Sequence, residues 1–353
     1  MKLFIPRIPW LDNFNIYLQK AFAQLNVDVM TNSNRYKLNK IIGALPLRKY
    51  TPVQNWERQK CLQNYNDELL KQCLAAKPDV FFVFNESLLF PTTIKAIKDE
   101  CKCLMVCCIG DDPWDSVRWI ADFPHSLKFF DIIFCGDPVW EINLRKVAPQ
   151  ASIYWHYGGY DPEVFHPVSG TDISENDLAR LSCQISFTGS SYNQKAEGAY
   201  RADILSFVSN YDLRIWGGDN WPYRFKYLPE LKKCYQGERL DYNDLIKLYK
   251  LSKVNLNLPA PQVTFTFQPR MFEIAACEGF QIIDNRAKLR DLFTEDEIVT
   301  FDTIGQLKEK VAYYLSHETE RQQMTQRLFQ KVWGKYTWQH WAADILAKIN
   351  DYK

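Results

Sequence analysis

The residues best suited to chemistry lie in one run of the C-terminal half, Pro269-Arg270-Met271-Phe272-Glu273-Ile274-Ala275-Ala276-Cys277-Glu278-Gly279-Phe280. An Arg and a Glu at the start of a helix, directly after a loop, suit a nucleoside diphosphate. The N–H groups and partial positive charge of a helix N-terminus favour phosphate oxygens. Arg270 adds a charge-assisted fork, and Glu273 can accept hydrogen bonds from ribose hydroxyls. An ordinary helix start, with Glu favoured by the dipole and Arg in a surface pair, explains the same two residues about equally well.

Weaker signals stand at other strand ends. Phe187-Thr188-Gly189-Ser190-Ser191 runs a strand into a Gly-containing loop that lets backbone approach phosphate, with Arg201 beyond it to neutralise a leaving diphosphate. Trp216-Gly217-Gly218-Asp219 and Asn255-Leu256-Asn257-Leu258-Pro259 also close strands. Each alone is ordinary turn chemistry. In the N-terminal half, Gly110-Asp111-Asp112-Pro113-Trp114-Asp115 follows a buried strand. Its carboxylates could coordinate a metal, orient an acceptor hydroxyl or act as a general base. An Asp-Pro turn or a helix N-cap accounts for them as well. Trp114 is a candidate sugar platform. His156 and Tyr157 end the last strand of that half, and a lone His is more often structural than catalytic.

Short apolar runs alternating with helical periodicity must position these residues, the pattern of parallel sheets covered by helices. Strands are expected at Lys2 to Ile5, Val27 to Met30, Val80 to Phe84, Leu104 to Ile109, Asp131 to Cys135 and Ile153 to His156. A long helix from Val53 to Ala76 shows Leu62, Tyr65, Leu69 and Cys73 on one face. Gly158, Gly159, Pro162, Pro167 and Gly170, followed by an acidic stretch to Asp177, read as a linker. The rhythm then restarts, with strands at Ile185 to Thr188, Leu213 to Trp216, Val254 to Leu258, Phe280 to Asp284 and Ile298 to Phe301, and a helix from Arg270 to Cys277. Two α/β halves imply a cleft for ligands between them.

Composition narrows the function classes. The 353 residues suit two domains, and 46% hydrophobic with 24% charged residues is ordinary for a globular chain. A net charge of +1 gives no bulk field to recruit nucleic acid or an anionic membrane, which leaves peripheral membrane contact to local patches. Aromatics at 15% serve large cores first, and sugar stacking second. Ten cysteines without a CxxC pair, Cys103, Cys107 and Cys108 among them in an apolar run, indicate reduced thiols. Met1 to Arg7 is too short for an export signal and no run is long enough to span a bilayer, so a cytoplasmic location is expected. Five scattered histidines without ligand spacing argue against a zinc site.

Taken in order, these residues resemble the CgeB-like (spore maturation type) glycosyltransferases, relatives of the family 4 retaining transferases with the GT-B fold. The resemblance covers most of residues 105 to 345 and is strongest from Ser186 to Arg321. It runs through Ser186 to Ser190, Arg201, Ile215-Trp216-Gly217, Tyr249, Val254 to Asn257 and Arg270 to Cys277. It continues through Phe280 to Asp284, Leu289 to Phe293, Glu297 to Val299 and Tyr313 to Leu315. The stretch from Tyr157 to Pro167 is similar to the family's inter-domain segment.

The resemblance implies two Rossmann-like domains facing across a cleft. Residues 1–160 would be the acceptor side and 161–335 the nucleotide-sugar side, with 336–353 a final helix crossing back to the N-domain. It implies catalysis resting on Asp112, Arg201 and Arg270, the last two beside the diphosphate. Gly189 and Ser190 would line the phosphate loop, Trp216, Gly217 and Asn257 would sit near the base, and Glu273 would hold the ribose. Neither metal nor cofactor is implied. The nucleotide sugar, UDP-linked by resemblance, is a substrate, passed with retention to a carbohydrate, lipid-linked or protein acceptor. Two positions depart from the family. Phe265 stands where a donor-sugar Glu is usual, eight residues before Glu273, and Glu278 stands where Gly usually precedes Gly279. Phe265 leaves donor sugar and stereochemistry open. An inactive scaffold and a nucleotide-sugar epimerase are the alternatives; need for an acceptor separates them from a transferase.

Overall fold

The computed structural model describes residues 1–7, 12–33, 52–84, 88–114, 122–191, 196–218, 220–260 and 262–352. These form two compact units, Met1–His156 with Trp341–Lys353, and Tyr157–His340.

The first unit holds a six-stranded parallel sheet of β1 (Lys2–Phe4), β2 (Asp28–Met30), β3 (Val80–Phe84), β4 (Leu104–Ile109), β5 (Ile132–Cys135) and β6 (Ser152–Trp155). Their order is β2-β1-β3-β4-β5-β6. Helices α1 (Asp12–Gln24), α2 (Pro52–Ala76), α3 (Pro91–Cys101) and α4 (Glu141–Val147) connect them. The continuous apolar runs Val80–Phe84 and Met105–Ile109 are buried throughout, as central parallel strands covered on both faces require. Leu62, Tyr65, Leu69 and Cys73 form the buried face of α2 that their spacing predicts.

The second unit repeats the plan with β7 (Cys183–Thr188), β8 (Leu213–Trp216), β9 (Tyr235–Gly237), β10 (Ser252–Asn257), β11 (Gln281–Asp284) and β12 (Val299–Phe301). Here the order is β12-β11-β10-β7-β8-β9, again all parallel. Its helices are α5 (Glu175–Leu181), α6 (Ala196–Ser206), α7 (Trp221–Arg224), α8 (Tyr242–Leu251), α9 (Arg270–Ala276), α10 (Ile304–Ser316) and α11 (Glu318–Val332). A final helix, α12 (Trp338–Tyr352), passes from the second unit into the first. Two apolar cores flank this sheet. One joins Ile185, Phe187, Leu256 and Leu258 to Leu205 and Val311; the other joins Ile283 to Met271, Phe272 and Leu328.

Helix α5 departs from the linker expected up to Asp177. Ser174 and Asp177 form a reciprocal capping box, so an acidic stretch becomes a helix start. Ion pairs Arg180–Asp244 (2.6 Å) and Lys247–Asp177 (3.0 Å) tie α5 to α8.

The two strand orders set where ligands can enter. In the second unit the chain steps from β7 outward to β8 and β9, then returns to place β10 on β7's other side. In the first, β2 and β3 flank β1 in the same way. Loops leaving two such strands diverge and open a crevice at their carboxyl ends. The β7/β10 pair and the β1/β3 pair are therefore the binding positions that topology provides.

Candidate functional site

The β7/β10 crevice collects the residues nominated by sequence in the second unit. Gly189 and Ser190 follow β7, Trp216 and Gly217 end β8, Asn257 ends β10, and Arg270 and Glu273 open the helix after β10. Arg201 spans the crevice. It is 2% exposed, donating from Nε to the Leu258 carbonyl (3.0 Å) and from Nη1 to the Ser190 carbonyl (3.1 Å). Its guanidinium lies over the Phe187 ring, 5.8 Å from the centroid. Arg201 thus ties the two switch-point loops together while bringing a fixed positive charge to them. The preceding residue extends the clasp: Tyr200 donates to Asp284 at the end of β11 (2.5 Å), and Arg286 donates to the same carboxylate (2.7 Å). Burial, with the Asp284 carboxylate next, pushes the Tyr200 phenol up to about 12.

The carbonyls of Gly189, Ser190 and Ser191, after β7, each have a side-chain donor. Trp221 Nε1 donates to Gly189 (2.8 Å), Arg201 to Ser190, and Arg224 Nη2 to Ser191 (3.1 Å). Asn220 Nδ2 adds a bond to the Ser190 hydroxyl (3.0 Å).

At α9 the physical picture differs from the sequence expectation. The N–H groups of Met271, Phe272 and Glu273 already donate to the carbonyls of Gln268, Pro269 and Pro269. The helix is seven residues long. Its first turn therefore holds no row of amides for phosphate, and the charge on offer there belongs to the Arg270 side chain. Burial raises the Glu273 carboxyl above its ordinary value, opposed by the nearby guanidinium groups of Arg270 and then Arg239. Arg239, in the loop after β9, is a third cation at this edge; no local motif marks it. The buried Tyr249 hydroxyl sits 3.5 Å from Thr188 Oγ1 and feels both Arg270 and Glu273, with burial holding the phenol well above its usual range.

Asn257 is 1% exposed and donates to Gln281 Oε1 (3.0 Å), which in turn donates to the Met271 carbonyl (2.9 Å). This relay seats α9 against the sheet, and among the described residues Asn257 Oδ1 is a buried acceptor without a bonding partner. Asn255 is structural, joining Ser186, the Tyr249 carbonyl and the Phe280 carbonyl. Trp216, expected near the base, is 4% exposed and packs with Leu181, Cys183 and Leu248. Strand parity turns its indole into that cluster. Gly217 instead serves by lacking a side chain: a Cβ there would fall 2.0 Å from the Gly189 carbonyl oxygen and 2.8 Å from Trp221 Nε1. Asp219 lies outside the described residues.

In the first unit, Asp112 Oδ1 accepts from the Trp114 N–H (2.9 Å), so the carboxylate closes an Asx turn after β4. Trp114 is 40% exposed, and Asp115 lies outside the described residues. His156 is buried, with Nε2 3.0 Å from Cys108 Sγ and its ring stacked 4.6 Å from that of Trp341. Burial lowers the imidazole to about 3 and raises the Cys108 thiol, so the pair is neutral. At the β1/β3 crevice the backbone of Arg7 is fixed from both sides. Its N–H donates to Asn32 (2.7 Å) and its carbonyl accepts from Tyr65 (2.9 Å). Among the described residues no three His, Cys, Asp or Glu side chains gather as for a metal, and no helix is long and apolar enough to cross a membrane.

Comparison with known proteins adds what geometry alone does not. Residues 201–347 match a family model described as glycosyl transferase-like. Over 330 residues the chain is 23% identical to Spore protein CgeB of Bacillus subtilis (strain 168), covering 84% of this chain and 94% of the relative. Among solved structures, a sucrose-phosphate synthase from Thermosynechococcus elongatus superposes with a TM-score of 0.70 at 11% identity, over 99% of this chain and 98% of that one. Anabaena HepE in complex with UDP-glucose superposes with a TM-score of 0.63 at 10% identity, over 99% and 100%.

Proposed function

We propose that this chain, of GT-B fold, is a CgeB-like glycosyltransferase that transfers a sugar from a UDP-linked donor held at the β7/β10 crevice. The observation that carries the reading is the gathering of Arg270, Arg239 and Glu273 beside a loop spanned by Arg201, at the switch point where α/β sheets take nucleotides. UDP is favoured because a structural neighbour is solved with UDP-glucose.

The chemistry follows from charge. As the anomeric C–O bond breaks, the electron pair stays on the UDP β-phosphate oxygen, and a new bond forms to an acceptor hydroxyl that gives up its proton. Positive groups fixed in advance stabilise that oxygen without reorganising, commonly the largest single contribution to such catalysis. Arg270 supplies a side-chain fork for the diphosphate, and Glu273 accepts from the ribose hydroxyls. In this reading guanidinium groups do the neutralising, and the transfer retains configuration. Glycans, lipid-linked glycans and proteins are the acceptor classes.

The test is titration with UDP followed by turnover of UDP-sugars with and without acceptor. Arg270→Ala should lower turnover by roughly a hundredfold or more while shifting the melting temperature little. Normal turnover in that variant would remove the diphosphate assignment. UDP release without any acceptor requirement, or UDP binding without release, would instead mark an epimerase or a scaffold.

A further inference from the structure

We propose that Asn15, on α1, belongs to a carbohydrate subsite of the first unit, where its side-chain amide pairs with adjacent hydroxyls of the acceptor; this rests on the transfer reaction proposed above. The inference starts from hydrogen-bond accounting. Asn15 is 3% exposed, and among the described residues neither its Oδ1 nor its Nδ2 has a bonding partner. Exchanging the two atoms changes nothing, because both ends are unmet. An amide buried in that state is unfavourable, and it points to a partner outside the chain.

Asn32 and Asn66, the other buried asparagines described in this unit, are bonded. Asn32 accepts from the Arg7 N–H (2.7 Å). Asn66 donates to the carbonyls of Leu62 and Leu88 (2.8 Å each) and accepts from the Phe90 N–H (2.9 Å). Asn15 also interrupts an apolar stripe. With Leu18 and Phe22 it makes up the buried face of α1, at a spacing where an apolar side chain would pack and where Asn is a poor helix former.

Packing puts the amide at the crevice. Helix α1 lies along β3, with Phe22 meeting Phe82 edge-on (5.7 Å) and Phe14 stacked on Phe84, the last residue of that strand (5.6 Å). Next to Phe14 and one turn before Leu18, Asn15 therefore stands at the carboxyl edge, beside the β1/β3 position that topology provides for a ligand. The amide's own chemistry selects that ligand. It carries two N–H donors and an acceptor oxygen. A phosphate would meet only the nitrogen and an ammonium only the oxygen. Neighbouring hydroxyls of a sugar ring meet both, one accepting and the next donating.

Ligand-detected NMR tests the subsite with the methyl glycosides of glucose, galactose, mannose and N-acetylglucosamine, without nucleotide. At least one should bind the parent chain. Asn15→Leu, which keeps the volume and removes the amide, should weaken it by roughly tenfold or more while UDP and UDP-glucose bind within about twofold of the parent. The unliganded variant should melt no lower than the parent, since an unmet group is removed. No glycoside bound by the parent, or equal affinity in both chains, overturns the subsite and leaves the UDP reading standing, with the amide met by water. Weakened UDP-glucose with unchanged UDP would give the hydroxyls to the donor and overturn the acceptor assignment. If Asn15→Leu does not fold, Asn15→Ser decides by the same ratio. A parent chain that binds no UDP is a different failure: the proposed function falls, and the acceptor assignment with it.

Discussion

The carboxyl edges of the two sheets share a topological device and differ in charge. At the first unit's edge, His156 and Cys108 are enclosed as neutral partners beneath Trp341, and the Asp112 carboxylate is engaged in its own turn. At the second unit's edge, Arg201 and Arg224 are enclosed as cations, with Arg270 and Arg239 beside Glu273. Burying a guanidinium is costly unless its donors are satisfied. In the second unit, backbone carbonyls of Ser190, Ser191 and Leu258 accept from the guanidinium groups of Arg201 and Arg224. On the proposed function, a switch point takes an anion through the groups that hold its loops.

The sharpest way to break the comparison is Arg201→Ala. It strands the Ser190 and Leu258 carbonyls and should cost about 3–5 kcal/mol in chemical unfolding, together with UDP affinity. Sequence alone gives Arg201 the neutralising of a leaving diphosphate; two carbonyl bonds and 2% exposure make it structural as well. A variant with parent-like stability would show that the two edges are not held differently.

His156→Phe tests the neutral edge. Folded His156 stays unprotonated to about pH 3, whereas an unfolded histidine takes its proton near 6.5. Between those values the unfolded chain binds more protons, so this contribution to stability is complete above pH 6.5 and declines as pH falls toward 3. Removing the imidazole should flatten the loss between pH 7 and 4.5 by about 2 kcal/mol, read from urea midpoints. An identical pH profile in both chains would mean the imidazole is protonated within the fold.

The smallest effect concerns the end of α9. Glu278 has φ +54°, with its N–H bonded to the Ala275 carbonyl and the Gly279 N–H to that of Ile274. This is the Schellman closure, in which the left-handed residue is usually Gly. The Lys250–Glu278 ion pair at 2.5 Å is partly exposed and offsets a few tenths of a kcal/mol. Glu278→Gly should therefore gain about 0.5 kcal/mol by melting temperature. A loss would show the ion pair to outweigh the backbone strain.

Much of the architecture was legible because period and position carry it. Val80–Phe84 and Leu104–Ile109 announce central parallel strands, and the chemistry-bearing residues of the second unit fall at strand ends, where such sheets take ligands. What pattern could not give was direction and distant pairing. Trp216 stands at a strand end and by resemblance near the base, yet its face of β8 is covered by Leu181 and Leu248. The Trp221 and Arg224 bonds reach back over 32 and 33 residues to the Gly189 and Ser191 carbonyls, with no motif to announce them. The helix amides expected at α9 were spent locally by a turn beginning at Gln268.

The path of α12 bears on how the chain is made. Because residues 341–353 belong to the same unit as residues 1–156, that unit must wait for a segment made after the whole second unit before its sheet is fully covered. Phe84 and His156 both rest on Trp341. A ribosome stalled before that tryptophan would leave these two rings uncovered, although every strand beneath them had already been translated.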